Sequence, residues 1–383
     1  MPTLADRYTV DVGFPVACIG LTQTNEVVLG GGGGASRSGV QNKLAAFAID
    51  DTARTLRPTK ELVLSSAEDA PTCLAMHPHE KLIACSINAS DGEIAAGNNR
   101  NCRLFAYTKA NIKPGKRTCV LGSTDAADYL KCIAFSASGE LVVGGATDGT
   151  LSVVGVPKMR PALASIDAGG EINDVGFGAR DRWLVAATDA ELKVLAVKDA
   201  ALVRCIDDPH TRAGERAVFR FARFGRGEDS DADMSHILYT VLNTRSRRGA
   251  YIVLWSSAEA WARVATRRVS QSPITAFALS RDGTMLAFAT AALQIAICDA
   301  RSLKVLVRVP DAHSFAITAL SFDRDDRRLV SASADHTCQV FVLPERWPTP
   351  PETALAFITD NTQPIAIVLV LIVAIILALV KLL

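Results

Sequence analysis

Short apolar runs separated by turn residues recur along most of this chain, and this pattern restricts the fold more than any other feature. The clearest copy reads Lys131-Cys132-Ile133-Ala134-Phe135, a turn at 136–139, Leu141-Val142-Val143, a turn at Thr147-Asp148-Gly149-Thr150, then Leu151-Ser152-Val153-Val154. Other copies open near Val16, Thr72, Asn173, Phe219, Ile274 and Ile317, the fifth interrupted by a polar insertion over 225–235. Seven units spaced by roughly 43 to 59 residues match the repeat length of propeller blades with loop insertions. One such sheet cannot bury both of its faces, whereas a ring of them does, leaving only short protected edges. Val, Ala, Cys and Ile suit strands buried on both sides. Helical repeats would instead place apolar residues at i, i+3 and i+4. The expected fold is therefore all-β, a seven-bladed β-propeller over 1–346. The segment around Tyr8-Thr9-Val10 is expected to pair with the last blade and close the ring, because an open edge exposes unpaired backbone.

Inside the first unit lies a glycine run, Gly30 to Gly34, followed by Ala35-Ser36-Arg37-Ser38-Gly39-Val40-Gln41-Asn42-Lys43. Five glycines are costly in a strand and make sense where backbone must be left-handed or closely approached. The stretch exceeds a tight hairpin turn, and long loops are often functional. Three readings compete. A phosphate cradle needs Gly-Lys-Ser/Thr, absent here, or a helix after the loop; Lys43 to Asp50 has the alanine content for one, but a strand suits an all-β chain better. A flexible linker is the common use of glycine runs, yet this run sits within a repeat between two apolar segments. The preferred reading is an ordered loop presenting carbonyls and a few side chains to a partner or ion.

Charge is balanced, 41 Lys plus Arg against 40 Asp plus Glu, so no net basic field drives nucleic-acid binding. Nine cysteines are scattered without a C-x-x-C pair, which suits buried thiols in a reducing compartment. The N-terminus lacks the apolar core of a signal peptide. Ile365 to Val380 is an unbroken apolar run. As a helix, 365–383 would span roughly 28 Å, close to the thin hydrocarbon core of an endoplasmic-reticulum bilayer, with Lys381 snorkelling to the far interface. A transmembrane anchor is expected over 364–383, a proline-bearing linker over 347–363, and a propeller facing the cytosol.

Ser331-Ala332-Ser333-Ala334-Asp335-His336-Thr337-Cys338-Gln339-Val340-Phe341 resembles the end of a WD repeat, with Asp335 in the tight turn and Phe341 at the position of the signature tryptophan. His313 stands where the histidine opening such a repeat would. The resemblance gives His313 and Asp335 a structural role. Thr147-Asp148-Gly149-Thr150 is a weaker match. No G-x-S-x-G elbow, H-E-x-x-H helix or paired-cysteine metal site occurs, and His77-Pro78-His79 reads as a turn. Arg245-Ser246-Arg247-Arg248 and Arg263 with Arg267-Arg268 are basic spots, by default solvated.

Tyr8 to Val16, the loop Gly31 to Val40, Asn42 and the terminal apolar run together resemble one family, the WD-repeat guanine-nucleotide exchange factors of the endoplasmic reticulum that activate the small GTPase starting COPII coat assembly, to which prolactin regulatory element-binding protein belongs. The resemblance implies an exchange factor without covalent chemistry, residing in the endoplasmic-reticulum membrane. It implies a loop that binds a potassium ion through Gly31, Gly32, Gly33, Gly34, Ala35, Ser36 and Asn42. It also implies GTPase contacts from Arg37, Gly39, Val40, Gln41 and Asn42, with Val40 as the wedge. The alternative is a tail-anchored WD-repeat scaffold without exchange activity, which would not need the loop.

Overall fold

The structure, a computed structural model, describes residues 6–36, 39–207, 209–211, 214–226, 234–345 and 347. Among these residues the strands form seven antiparallel sheets, one per expected repeat. The first blade consists of β2 (Val16–Leu21), β3 (Glu26–Gly31), β4 (Lys43–Asp50) and β5 (Thr55–Val63), in that order from the channel outward. Five of the remaining six repeat this four-stranded order, and the third blade splits its outermost strand into Arg160–Pro161 and Ile166–Asp167. The second and third strands of each blade are the most apolar, as burial on both faces requires; Ile237–Thr244 is buried at all eight positions.

The ring closes between its two ends. β1 (Arg7–Asp11) is the outermost strand of the last blade and pairs antiparallel with Thr337–Val342, Tyr8 opposite Val340. Tyr8, Phe14, Val16, Leu29, Val330 and Val340 then form one apolar cluster spanning the last and first blades. Tyr8 donates its hydroxyl to Asp51 (2.9 Å), which also receives two nitrogens of Arg328 from the last blade. Among the described residues every strand lies within 7–342, so residues 1–347 include all seven sheets. The nine cysteines are free thiols, seven of them buried.

Neighbouring blades are latched where their inner strands leave the channel. Each inner strand except that of the second blade shifts register, after its first residue in five blades and between Phe219 and Phe221 in the fifth, and such a bulge re-aims one side chain. Three of the re-aimed residues hold the next blade: Asn173 donates to the Phe219 carbonyl (2.9 Å), Thr275 to Ile317 (3.1 Å) and Thr318 to Val16 (2.8 Å). Thr72 does the same to Leu130 (2.8 Å).

The WD-like copy behaves structurally. His313 is buried, its Nδ1 3.2 Å from Asp335 and 3.0 Å from Thr337, its Nε2 2.7 Å from Ser331. Burial pushes the imidazole below its ordinary pKa against the pull of Asp335. The expected anchor and linker lie outside the described residues, Trp347 apart; among the described residues no helix is long and apolar enough to cross a membrane.

Two outcomes follow from this packing. Removing residues 1–12 takes away the closing strand and the Tyr8 side chain, and should lower the melting temperature by about 10 °C or more; an unchanged melting temperature would contradict the closure. His313 has a folded pKa below its unfolded value, so its contribution is present above about pH 6.5 and is lost as pH falls through the folded value. His313→Gln should therefore be less stable than the parent at neutral pH by about 2 kcal/mol but lose less on acidification, as followed by urea unfolding at a series of pH values.

Candidate functional site

The glycine run divides between strand and loop. Gly30 and Gly31 still belong to β3, Gly31 opposite Lys43 of β4, so the loop proper begins at Gly32. The requirement for glycine is steric. A Cβ on Gly31 would lie 2.1 Å from the carbonyl oxygen of Pro15, and Gly32, at φ +139°, would place one 2.4 Å from the amide oxygen of Asn42. The segment after the loop is a strand, β4, and not a helix, which removes the helix that a dinucleotide cradle requires.

Beyond Gly32 the chain makes one short 3-10 turn, Gly34–Ser36, and returns through Gly39-Val40-Gln41 to Asn42. Asn42 is buried and ties the loop together. Its Oδ1 accepts the Gly34 N–H (2.9 Å); its Nδ2 donates to the Gly34 carbonyl (3.1 Å) and to the Glu68 carbonyl (2.9 Å). Its own carbonyl accepts the Leu64 N–H (2.8 Å). The Gly32 N–H donates to the Pro15 carbonyl (3.0 Å) and the Gly33 N–H to that of Val40 (3.3 Å).

The connection from the first to the second blade completes the mount. Asp69 Oδ1 accepts the Ala35 N–H (3.0 Å) and the Ala70 N–H (2.7 Å). Glu68 is fixed by an ion pair with the buried Arg103 of the second blade (2.7 Å). Glu68, Asp69 and Pro15 were not singled out from the sequence. They lie far along the chain from Asn42, and no spacing rule connects them to it.

The predicted residues thus separate into two groups. Gly31, Gly32, Gly33, Gly34, Ala35 and Asn42 form the root, with Asn42 facing inward instead of joining the tip. Gly39, Val40 and Gln41 are exposed, Val40 by 36%. Arg37 lies outside the described residues. Phe315, 63% exposed, sits in the connection into the inner strand of the neighbouring last blade, which leaves the ring at the same end as the loop.

The loop's oxygen donors are backbone carbonyls and the Asn42 amide. Neutral oxygens of this kind suit an alkali cation, and an amide oxygen with one N–H bound keeps a second lone pair. Among the described residues no group of three or more His, Cys, Asp or Glu gathers to hold a metal. At His77-Pro78-His79 the Nδ1 of His77 accepts the N–H groups of His79 (3.1 Å) and Glu80 (2.8 Å), closing the expected turn.

Comparison with known proteins adds to this geometry. The model for the WD domain, G-beta repeat, matches residues 115–154 and 304–341, each running from the outer strand of one blade through the first three strands of the next, the third and the closing blade. SEC12-like protein 2 of Arabidopsis thaliana is 27% identical over 320 residues, 82% of this chain and 75% of that protein. The guanine nucleotide-exchange factor SEC12 of Candida glabrata is 25% identical over 340 residues, 87% of this chain and 71% of that one. SEC12 of Rattus norvegicus is 21% identical over 394 residues, covering 88% and 90%.

The chain is similar to SEC12-like proteins over most of its length.

Its fold is also that of a chain from the COPII outer coat vertex on membranes, at TM-score 0.69 and 12% identity over 90% of this chain and 87% of that one. At that identity the likeness concerns the fold alone. What sets this propeller apart from a plain ring of blades is the mounted loop. Asn42→Ala would leave the Gly34 and Glu68 backbone groups without their partner, a loss of about 2–4 kcal/mol. The expected result is a lower melting temperature together with faster amide exchange at Gly34 and Ala35; unchanged exchange there would show that Asn42 does not hold the loop.

Proposed function

We propose that this chain is a guanine-nucleotide exchange factor for the small GTPase that starts COPII coat assembly, and that the first-blade loop is its active element. One observation carries the reading. In a chain similar to SEC12 exchange factors over most of its length, a loop with a rigid root presents Gly39, Val40 and Gln41 to solvent.

Exchange needs no covalent step. A small GTPase holds its nucleotide through its phosphate-binding loop, Mg²⁺ and switch segments. A partner that binds the nucleotide-free form better than the loaded form shifts the equilibrium towards release. Val40 supplies an apolar wedge, Gly39 before it lets the backbone approach closely, and the Asn42 lock keeps the tip from losing order on contact. A potassium ion on the carbonyls of the root would stiffen the same element and lower the ordering cost further. Phe315 offers a second apolar contact on the same end of the ring.

The apolar run 365–380 supports residence in the endoplasmic-reticulum membrane, with the propeller on the cytosolic side where COPII coats form. Anchoring would confine activation to that membrane.

Fluorescence-monitored nucleotide release from the GTPase tests the reading. Replacing Gly39-Val40-Gln41 by Ser-Gly-Ser, with Asn42 kept, should leave the melting temperature unchanged and abolish acceleration. Val40→Asp should slow release about tenfold or more, because a carboxylate would be desolvated at the contact. Exchanging potassium for tetramethylammonium should slow the parent and not the loop-replaced variant. Full acceleration by the loop-replaced variant would make the chain a scaffold instead.

A further inference from the structure

We propose that the rim of the fifth blade is a docking surface for the anionic headgroups of a lipid bilayer. The fold assembles it from pieces separated in sequence. The turn between strands Ile237–Thr244 and Ala250–Ser256 carries Arg245, Arg247 and Arg248, all exposed. The outer strand Ala262–Ser270 runs back alongside, with Arg268 opposite Tyr251. Arg268 Nη2 donates to the Arg248 carbonyl (2.6 Å), which joins the turn and the end of the outer strand into one patch. Arg216 adds to it, its carbonyl accepting the Arg245 N–H (3.0 Å).

Among the described residues, the acid bonded to this turn is Glu215, whose Oε1 accepts the Ser246 hydroxyl (2.5 Å). Among the described residues, Arg216, Arg245, Arg247, Arg248 and Arg268 form no ion pair. The chain as a whole carries a formal net charge of only +1, so five arginines without an ion pair make a local excess of positive charge. Guanidinium groups pair with phosphate oxygens through two parallel hydrogen bonds and desolvate more readily than ammonium groups.

The occupant follows from where the patch lies and what the chain carries next. The patch is spread over a turn and an outer strand at the perimeter, a shape that meets a broad surface. The apolar run opens at Ile365, and 343–364 separate it from the last blade strand, Thr337–Val342. Those residues, fully extended at about 3.4 Å each, reach roughly 70 Å, enough to lay the perimeter of a propeller against the bilayer. Tethering raises the local concentration of headgroups at the patch. The choice of a bilayer rests on the membrane reading of that run; the patch itself does not. Its turn joins the second and third strands of its blade, as the glycine loop does in the first blade, so both emerge at the same end of the ring. Headgroup contact there would incline the loop-bearing end towards the membrane.

The test floats residues 1–347 with vesicles of phosphatidylcholine alone and with about 30% phosphatidylserine, at about 0.1 M and 0.5 M salt. Recovery with the anionic vesicles only, lost at high salt, is expected. Each arginine near an anionic surface contributes about fivefold to partitioning, so Arg245→Gln/Arg247→Gln/Arg248→Gln should weaken it about a hundredfold. Arg216→Gln/Arg268→Gln, which leaves the turn sequence intact, should weaken it about twenty-fivefold and keeps the test open if the triple variant misfolds. Lys109→Gln/Lys113→Gln on the second blade should change nothing. Absence of flotation, equal flotation with neutral vesicles, or parental flotation by a folded patch variant would overturn the proposal. Binding to duplex DNA without binding to anionic vesicles would overturn it in favour of a nucleic acid. Because this fragment lacks 365–380 and the assay contains no GTPase, a negative result would leave the exchange reading standing.

Discussion

Pairing between the first strand and the last blade is the interaction on which the rest of the structure depends. The last sheet of the ring gains its outermost strand only when the chain's two ends meet, and here they meet through Arg7–Asp11 against Thr337–Val342. The closing strand also sets the origin of the first blade. Val12 donates its N–H to the His336 carbonyl (2.8 Å), and the chain then turns through Gly13 and Phe14 to Pro15, whose carbonyl receives Gly32. The seam of the ring and the root of the loop are therefore continuous. An error in closure would displace the loop before it altered any distant blade.

The loop combines a fixed base with an exposed tip. Its base is built from three places: the seam at Pro15, the loop itself at Gly34 and Asn42, and the next connection at Glu68 and Asp69. Arg103 draws in the second blade by holding Glu68. Such a mount makes exposure of an apolar residue useful, because an ordered tip loses less entropy on contact than a free one. It also explains why the glycines cannot be replaced one for one by small residues. The space beside Gly31 is filled by a backbone oxygen and the space beside Gly32 by Asn42.

The architecture was legible in the sequence because burial on both faces writes an unmistakable pattern into the inner three strands. The outer strands were not. Thr55–Val63 and Ile112–Thr118 are mostly exposed and polar, and Ile112–Thr118 contains both a proline and a glycine, so their pairing is decided by the strand beside them. The WD-like histidine network was readable from His313 and Asp335 because the motif keeps its spacing. At the site, the sequence pointed to the loop and to Asn42, while the inward orientation of Asn42 and the contributions of Pro15, Glu68 and Asp69 arise only from the third dimension. The basic turn at 245–248 and Arg268 lie in separate runs of the sequence; antiparallel pairing brings them together.

In the proposed function, the tip of the first-blade loop is what the GTPase meets. Hydrogen–deuterium exchange of the propeller, alone and with the nucleotide-free GTPase, measures this directly. Strong new protection is expected over 39–41, with the root at 32–34 and 42 already protected in the free protein. Protection confined to other blades, with 39–41 exchanging as fast in the complex as alone, would contradict it.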